Sequence, residues 1–348
     1  VEEAHQYFKE AFDILTTKTE KSEAEKVALI DILNSWAYAY YYLGDFKEFI
    51  NMFRSHKDLA ESLDDKGRLG MFYTWFGTAL WGIGKSKDSY EYLRRALELG
   101  ENSGNQKVVG YACTWLAWAC GELGLFAEGM GFGERAQKIA ESFPSDQYLY
   151  FKSLGGLNYI NFWKGDIRKV FEGAKLLLDY GERNSNSRSR VFGHWINGWA
   201  HYLTGDMKSC QESCETAVEV ALDPWYAQFP KLNSGMALLF SGQFQEAEDI
   251  LQSVLNFCEE RAIEELSELA YISLAPTLIA KGQMKQGLRM LEVRQQNLIR
   301  NQRRAVYALS EYVLGIAYSQ IAARPTPGFS ILAKNLGFLV RNVQFGGK

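Results

Sequence analysis

Seven glycines punctuate the chain at an almost constant interval: Gly44, Gly84, Gly124, Gly165, Gly205, Gly242 and Gly282. Successive spacings are 40 residues, with one of 41 and one of 37. A period of this kind restricts the fold to a stack of equal units, each resting mainly on its neighbours. The punctuation has a recurring form, seen in Leu43-Gly44-Asp45-Phe46, Leu123-Gly124-Leu125-Phe126 and Thr204-Gly205-Asp206-Met207. A glycine ends a helix cheaply because it enters the left-handed region without a Cβ clash. The apolar residue two places later (Phe46, Phe126, Ile167, Met207, Phe244, Met284) starts the next helix by tucking into the hairpin. Between glycines lie two stretches of roughly 16 residues with apolar positions three and four apart, as in Tyr90, Leu93, Ala96 and Leu97. Polar stretches such as Asn102–Asn105 and Asn184–Ser187 separate one hairpin from the next. The expected fold is all-α, a right-handed α-solenoid of about eight antiparallel helical hairpins with a period of about 40. It divides into a leading helix (1–20), seven regular repeats (21–300) and an atypical last repeat (301–348) within one superhelical domain.

A second register runs beside the first. Small residues recur seven before the turn glycine (Ala37, Gly77, Ala117, Gly198, Gly235, Ala275) and five before it (Ala39, Ala79, Ala119, Ala200, Ala237). Ala96, Ala136 and Ala217 recur twelve after it. Small side chains at these places let neighbouring helices approach closely. Together with the Gly-Asp-Phe style of turn, this pattern resembles the tetratricopeptide repeat family over nearly the whole chain. The usual repeat of that family has about 34 residues, so this chain is similar to a long-helix variant, of the sort found in regulatory arms of large signalling ATPases and nucleotide cyclases. Gly315–Ile321 and Phe329–Val343 are similar to a segment in the helical C-terminal region of bacterial adenylate/guanylate cyclase–AAA ATPase fusion proteins. The resemblance implies a non-catalytic interaction or regulatory sensor arm of a larger signalling protein. The opening Val1, which reads as mid-helix, leads to the expectation that the chain is a fragment.

In such superhelices the first helix of each hairpin lines the concave face. Residues six, three and ten before each glycine form one stripe on that helix. In the first five repeats the stripe is aromatic: Tyr38, Tyr41, Trp81, Trp118, Tyr159, Phe162, Trp195, Trp199 and Tyr202. Tyr and Trp combine large apolar area with a polar handle, which suits recognition of a protein or peptide. The expectation is a partner-binding groove along these nine rings. A tight coil filled by the same rings is the competing reading. In the sixth and seventh repeats the stripe becomes aliphatic (Met236, Leu239, Ile279), as if a final helix covered it. The apolar tail with Ile331, Leu332, Leu336, Phe338 and Leu339 is expected to dock back on the array or to mediate self-association.

Composition removes several function classes. A net charge of -4 and a pI near 5.8 give no concentrated basic surface for nucleic acid, and Arg300, Arg303 and Arg304 read as a solvated helix face. No apolar run is long enough for a bilayer span, so no membrane is expected as a partner. The five cysteines form no CxxC pair; Cys210 and Cys214 read as buried thiols rather than a zinc site, which suits a cytoplasmic setting. No phosphate-binding loop, GxSxG, HExxH or kinase signature occurs, so no catalytic residue, cofactor or metal is expected. His201 falls in the stripe and reads as packed or solvated. Asp64-Asp65 and Glu264-Glu265 read as helix-start carboxylates. Two alternatives stand beside a protein-binding arm: a small-ligand-sensing arm of a transcription regulator, and a helical-toroid carbohydrate-active enzyme. The second needs several inward acids, and the stripe offers little beyond Glu122.

Overall fold

The computed structural model describes residues 1–323, with side chains to 319. Helix α1 (Glu2–Thr16) precedes a stack of hairpins. The first helices of the hairpins are α2 (Glu23–Leu43), α5 (Lys66–Gly82), α7 (Gln106–Leu123), α9 (Gln147–Trp163), α11 (Ser187–Thr204), α13 (Pro224–Phe240) and α15 (Glu264–Ala280). Their partners are α3 (Phe46–Ser55) with the short α4 (Lys57–Ser62), then α6 (Ser86–Ser103), α8 (Phe126–Glu141), α10 (Ile167–Arg183), α12 (Met207–Val220), α14 (Phe244–Glu260) and α16 (Met284–Arg300). Helix α17 (Arg304–Ala323) closes the described residues. Among these residues every element is helical, and no helix is long and apolar enough to cross a membrane.

The turn chemistry explains where each helix stops and starts. All seven register glycines take φ between +70° and +85°. In three hairpins an acid follows the glycine: the side chains of Asp45, Asp166 and Asp206 accept the backbone N–H three residues on, satisfying a donor that has no helical partner. Asp65, Asn105, Asp146 and Asn186 do the same at the entry of the next hairpin. The small-residue register is a packing requirement. A Cβ on Gly77 would lie 2.7 Å from Leu93 across its hairpin, and one on Gly235 would lie 2.7 Å from Leu251. Substitution at either place forces the paired helices apart.

The first helices form the inner wall of the solenoid, and the coil is wound so tightly that successive turns touch. Helix α2 packs against α13, α5 against α15 and α7 against α17. The Lys47 N–H donates to the Arg261 carbonyl across this seam, 3.1 Å away. The helices that meet are five hairpins apart, so one superhelical turn takes roughly five repeats, and it brings together the ion pair Glu122 and Arg303, 181 residues apart in sequence. There is consequently no wide channel along the axis over the first turn. Its place is taken by side chains.

Candidate functional site

Contact between turns decides the fate of the aromatic stripe. Tyr41, Trp81, Trp118, Tyr159, Trp195 and Trp199 are all buried, while Tyr38, Phe162 and Tyr202 keep partial exposure. Trp118 stacks on Tyr159 with centroids 4.8 Å apart, and Phe162 stacks on Trp199 at 4.4 Å. Tyr41 meets Tyr226 of the following turn at 6.0 Å, edge to face. Offset and edge contacts of this kind are the favoured aromatic geometries. Six of the nine rings are therefore core in this conformation, packed because the stripes of successive turns face each other across a narrow axis.

Charged groups are threaded through this aromatic core. Lys152 of α9 is completely buried; its Nζ lies 4.2 Å from the Trp118 ring, 4.6 Å from Trp115 and 4.9 Å from Phe192, and it hydrogen-bonds the Tyr41 hydroxyl. Burial pushes the Lys152 ammonium well below its ordinary range, with Glu265 opposing that shift. Arg303 is paired with Glu122, both fully buried, and donates further bonds to the carbonyls of Glu264 (3.2 Å) and Glu265 (3.1 Å). Burial works against the Arg303 charge, and Glu122 more than offsets it, holding the guanidinium above its ordinary range. Tyr159 donates to the other Glu122 oxygen. Glu265 is buried without a partner on its Oε2, and desolvation reinforced by Glu122 raises its carboxyl to about 8. At the outer rim Arg188 lies 3.6 Å over the Tyr42 ring and pairs with Asp223 at 2.6 Å.

Two of these residues correct the sequence reading. Arg303 is not on a solvated face, because α17 turns it inward to meet the α7 carboxylate. Glu265 does more than start a helix, because the N-terminus of α15 points into the axis. The signal that could have found the pair was Glu122, the acid that stood out in an otherwise uncharged stripe. Cys210 and Cys214 are both buried on adjacent turns of α12. His201 is half-buried beside Phe171, 5.1 Å away, and close to Asp206.

Open space begins where the second turn runs out of a partner. A groove of about 610 Å³ lies between the C-terminal end of α11 and helices α13, α15 and α17. Its walls include Tyr202, Met236, Phe240, Ile279, Leu309 and Tyr312. Phe240 is 60% exposed and Tyr312 67% exposed, large apolar surfaces that a soluble fold normally covers. The groove also has a backbone handle. Pro276 stands within α15, and a proline cannot donate to the carbonyl four residues earlier, here that of Ile272, which shares the groove wall. The expected aliphatic turn of the stripe is thus present, yet α17 covers it only in part. The apolar tail assigned to docking or self-association lies outside the described residues.

No protein-family model matches this chain, and no curated protein matches it in sequence. Solved structures do. The crystal structure of a Rap protein complexed with competence and sporulation factor aligns over 91% of this chain and 92% of that one, at TM-score 0.58 and 13% identity. The apo form of the quorum sensor NprR from B. thuringiensis aligns over 92% and 94%, at TM-score 0.54 and 10% identity. Both are helical repeat proteins of the tetratricopeptide type. The chain shares their fold. At such identities the likeness extends to the solenoid and its full length, and to nothing finer.

Proposed function

We propose that this chain is a protein-interaction sensor arm, part of a larger signalling protein, which captures an apolar polypeptide segment in the groove between α11, α13, α15 and α17. The observation that carries the reading is the groove itself, with Phe240 of α13 and Tyr312 of α17 exposed in its lining. A site of this volume, apolar with few polar groups, has the size and lining of a ligand pocket. Of the nine stripe rings, Tyr202 contributes directly; Trp118, Tyr159, Phe162, Trp195 and Trp199 line a smaller space behind the groove, and Tyr38, Tyr41 and Trp81 pack farther from it. The binding role is also consistent with the similar structures, one solved with competence and sporulation factor and the other described as a quorum sensor. Catalysis by paired carboxylates has little support, since Glu122 is held by Arg303 and Tyr159. The setting within a cyclase–ATPase type of protein rests on the sequence resemblance, and the cytoplasmic one on the five free thiols.

The test is a positional-scanning hexapeptide library applied to the full chain. The expected result is selection of large apolar residues, with affinity reduced about tenfold or more by Phe240→Ser combined with Tyr312→Ser. Both side chains are exposed, so the melting temperature of the double variant stays close to that of the parent. Absence of apolar selection, or unchanged affinity in the double variant, overturns the groove as the site.

A further inference from the structure

Behind the groove is a second, narrower space. It has a volume of about 40 Å³, and Met236, Ser273 and Leu309 line both spaces and so stand between them. Its other walls include Tyr159, Trp163, Trp195 and Trp199, together with Asn233 and Glu265. That is room for roughly three water-sized groups. Four buried polar atoms belonging to its lining residues have no partner: three N–H donors, on Asn233, Trp163 and Trp195, and one acceptor oxygen, on Glu265, which alone can take a bond from an ammonium. The Asn233 Oδ1 accepts from Trp199 Nε1 at 2.8 Å, leaving its Nδ2 unused, and Glu265 Oε2 is unpaired. Orphaned polar groups of this kind are costly in a low-dielectric interior. A carboxyl ringed by Trp and Tyr is the arrangement that suits an alkylammonium, since the rings attract a cation through their faces while the carboxylate neutralises it. The same core already holds one ammonium in this manner, that of Lys152.

We infer that this chamber is a binding site for a primary alkylammonium group, whose apolar stem lies in the groove and whose head reaches Glu265. The inference rests on the groove reading and deepens it by giving the partner a chemistry: an apolar segment carrying one lysine-like cation. Met236 is an unbranched side chain that can re-pack to admit the head. The charges that act on Glu265 are those of Glu122 on α7, Arg303 just before α17 and Lys152 on α9, and Glu268 lies three residues along its own helix. Since Glu265 is raised to about 8, its proton must leave before a cation is held. Affinity therefore increases with pH, approaching tenfold per unit below that value and levelling off above it.

Two probes separate a free amine from a peptide side chain. The first is n-butylammonium chloride against n-butanol at matched ionic strength, followed by the fluorescence of the chamber tryptophans. The second is an apolar hexapeptide with one lysine against the same peptide with norleucine. Expected is a preference of about tenfold for the cation in at least one arm, stronger at pH 8 than at pH 6.5. A preference in the peptide arm alone places the head on a partner segment, and one in both arms admits free amines. Glu265→Gln, which keeps shape, abolishes the preference, and Met236→Trp blocks entry without touching the carboxyl. Equal binding of charged and neutral probes, or a preference that survives Glu265→Gln, overturns the inference and leaves a chamber of structural water. Apolar peptides binding without charge preference would sink this inference alone; no apolar binding would sink the groove with it.

Discussion

Arg303→Met is expected to destabilise the chain by about 3–5 kcal/mol, the range for removing one partner of a buried ion pair. Arg303 is 1% exposed and Glu122 completely buried, so the carboxylate left behind has neither water nor a counter-charge. It would also face Glu265, whose carboxyl Glu122 already helps to raise. The same guanidinium closes the carbonyls of Glu264 and Glu265 at the start of α15, so its loss weakens the hold of this segment on both α7 and α15. Urea unfolding followed by circular dichroism reads the effect. A double variant in which Glu122→Leu accompanies Arg303→Met should recover much of the loss, because the penalty comes from the orphaned charge more than from the missing attraction. If Arg303→Met behaved like an ordinary surface change, within about 0.5 kcal/mol, the contact between superhelical turns would not exist in solution.

The second large effect concerns the ring that sequence reasoning placed in a groove. Trp118→Ala is expected to cost about 3–5 kcal/mol, as for other large aromatic truncations in cores. The indole is 1% exposed, stacks on Tyr159, and donates from Nε1 to the Lys152 carbonyl at 3.2 Å. It lies so close to α9 that a Cβ on Gly155 or Gly156 would come within about 3.2 Å of it. Its removal also strips one wall from the Lys152 cage. Tyr312→Ala serves as the control, since that ring is mostly exposed and its loss should leave the unfolding midpoint nearly unchanged. A Trp118→Ala protein as stable as the parent would restore the open concave groove.

The two residues also show what a single sequence reveals here. The hairpins were legible because their signals are local: Gly44 and Asp45 adjoin, and Gly77 meets Leu93 within one repeat. The existence of an inward stripe was legible for the same reason, being a matter of offset along one helix. What the stripe faces was not, because it depends on the pitch of the superhelix. Small rotations between repeats accumulate over a whole turn before α2 meets α13 or α7 meets α17. No local pattern marks Arg303 as the partner of Glu122, 181 residues away, and its neighbours Arg300 and Arg304 disguise it as part of a basic surface. The groove was missed for a related reason. Met236, Leu239 and Ile279 looked like positions covered by a closing helix, whereas α17 crosses beside them and leaves Phe240 and Tyr312 uncovered.

In the proposed function, the first turn of the solenoid is closed and a partner segment is taken up at its open C-terminal groove. Hydrogen–deuterium exchange on the full chain, with and without the best apolar hexapeptide from the library, tests it most directly. The account predicts slow exchange in α7 and α9 before any peptide is added, with new protection confined to the end of α11 and to α13, α15 and α17. Fast exchange in α7 and α9 in the free protein, slowed by peptide along α5, α7 and α9, would contradict it and return the site to the aromatic stripe.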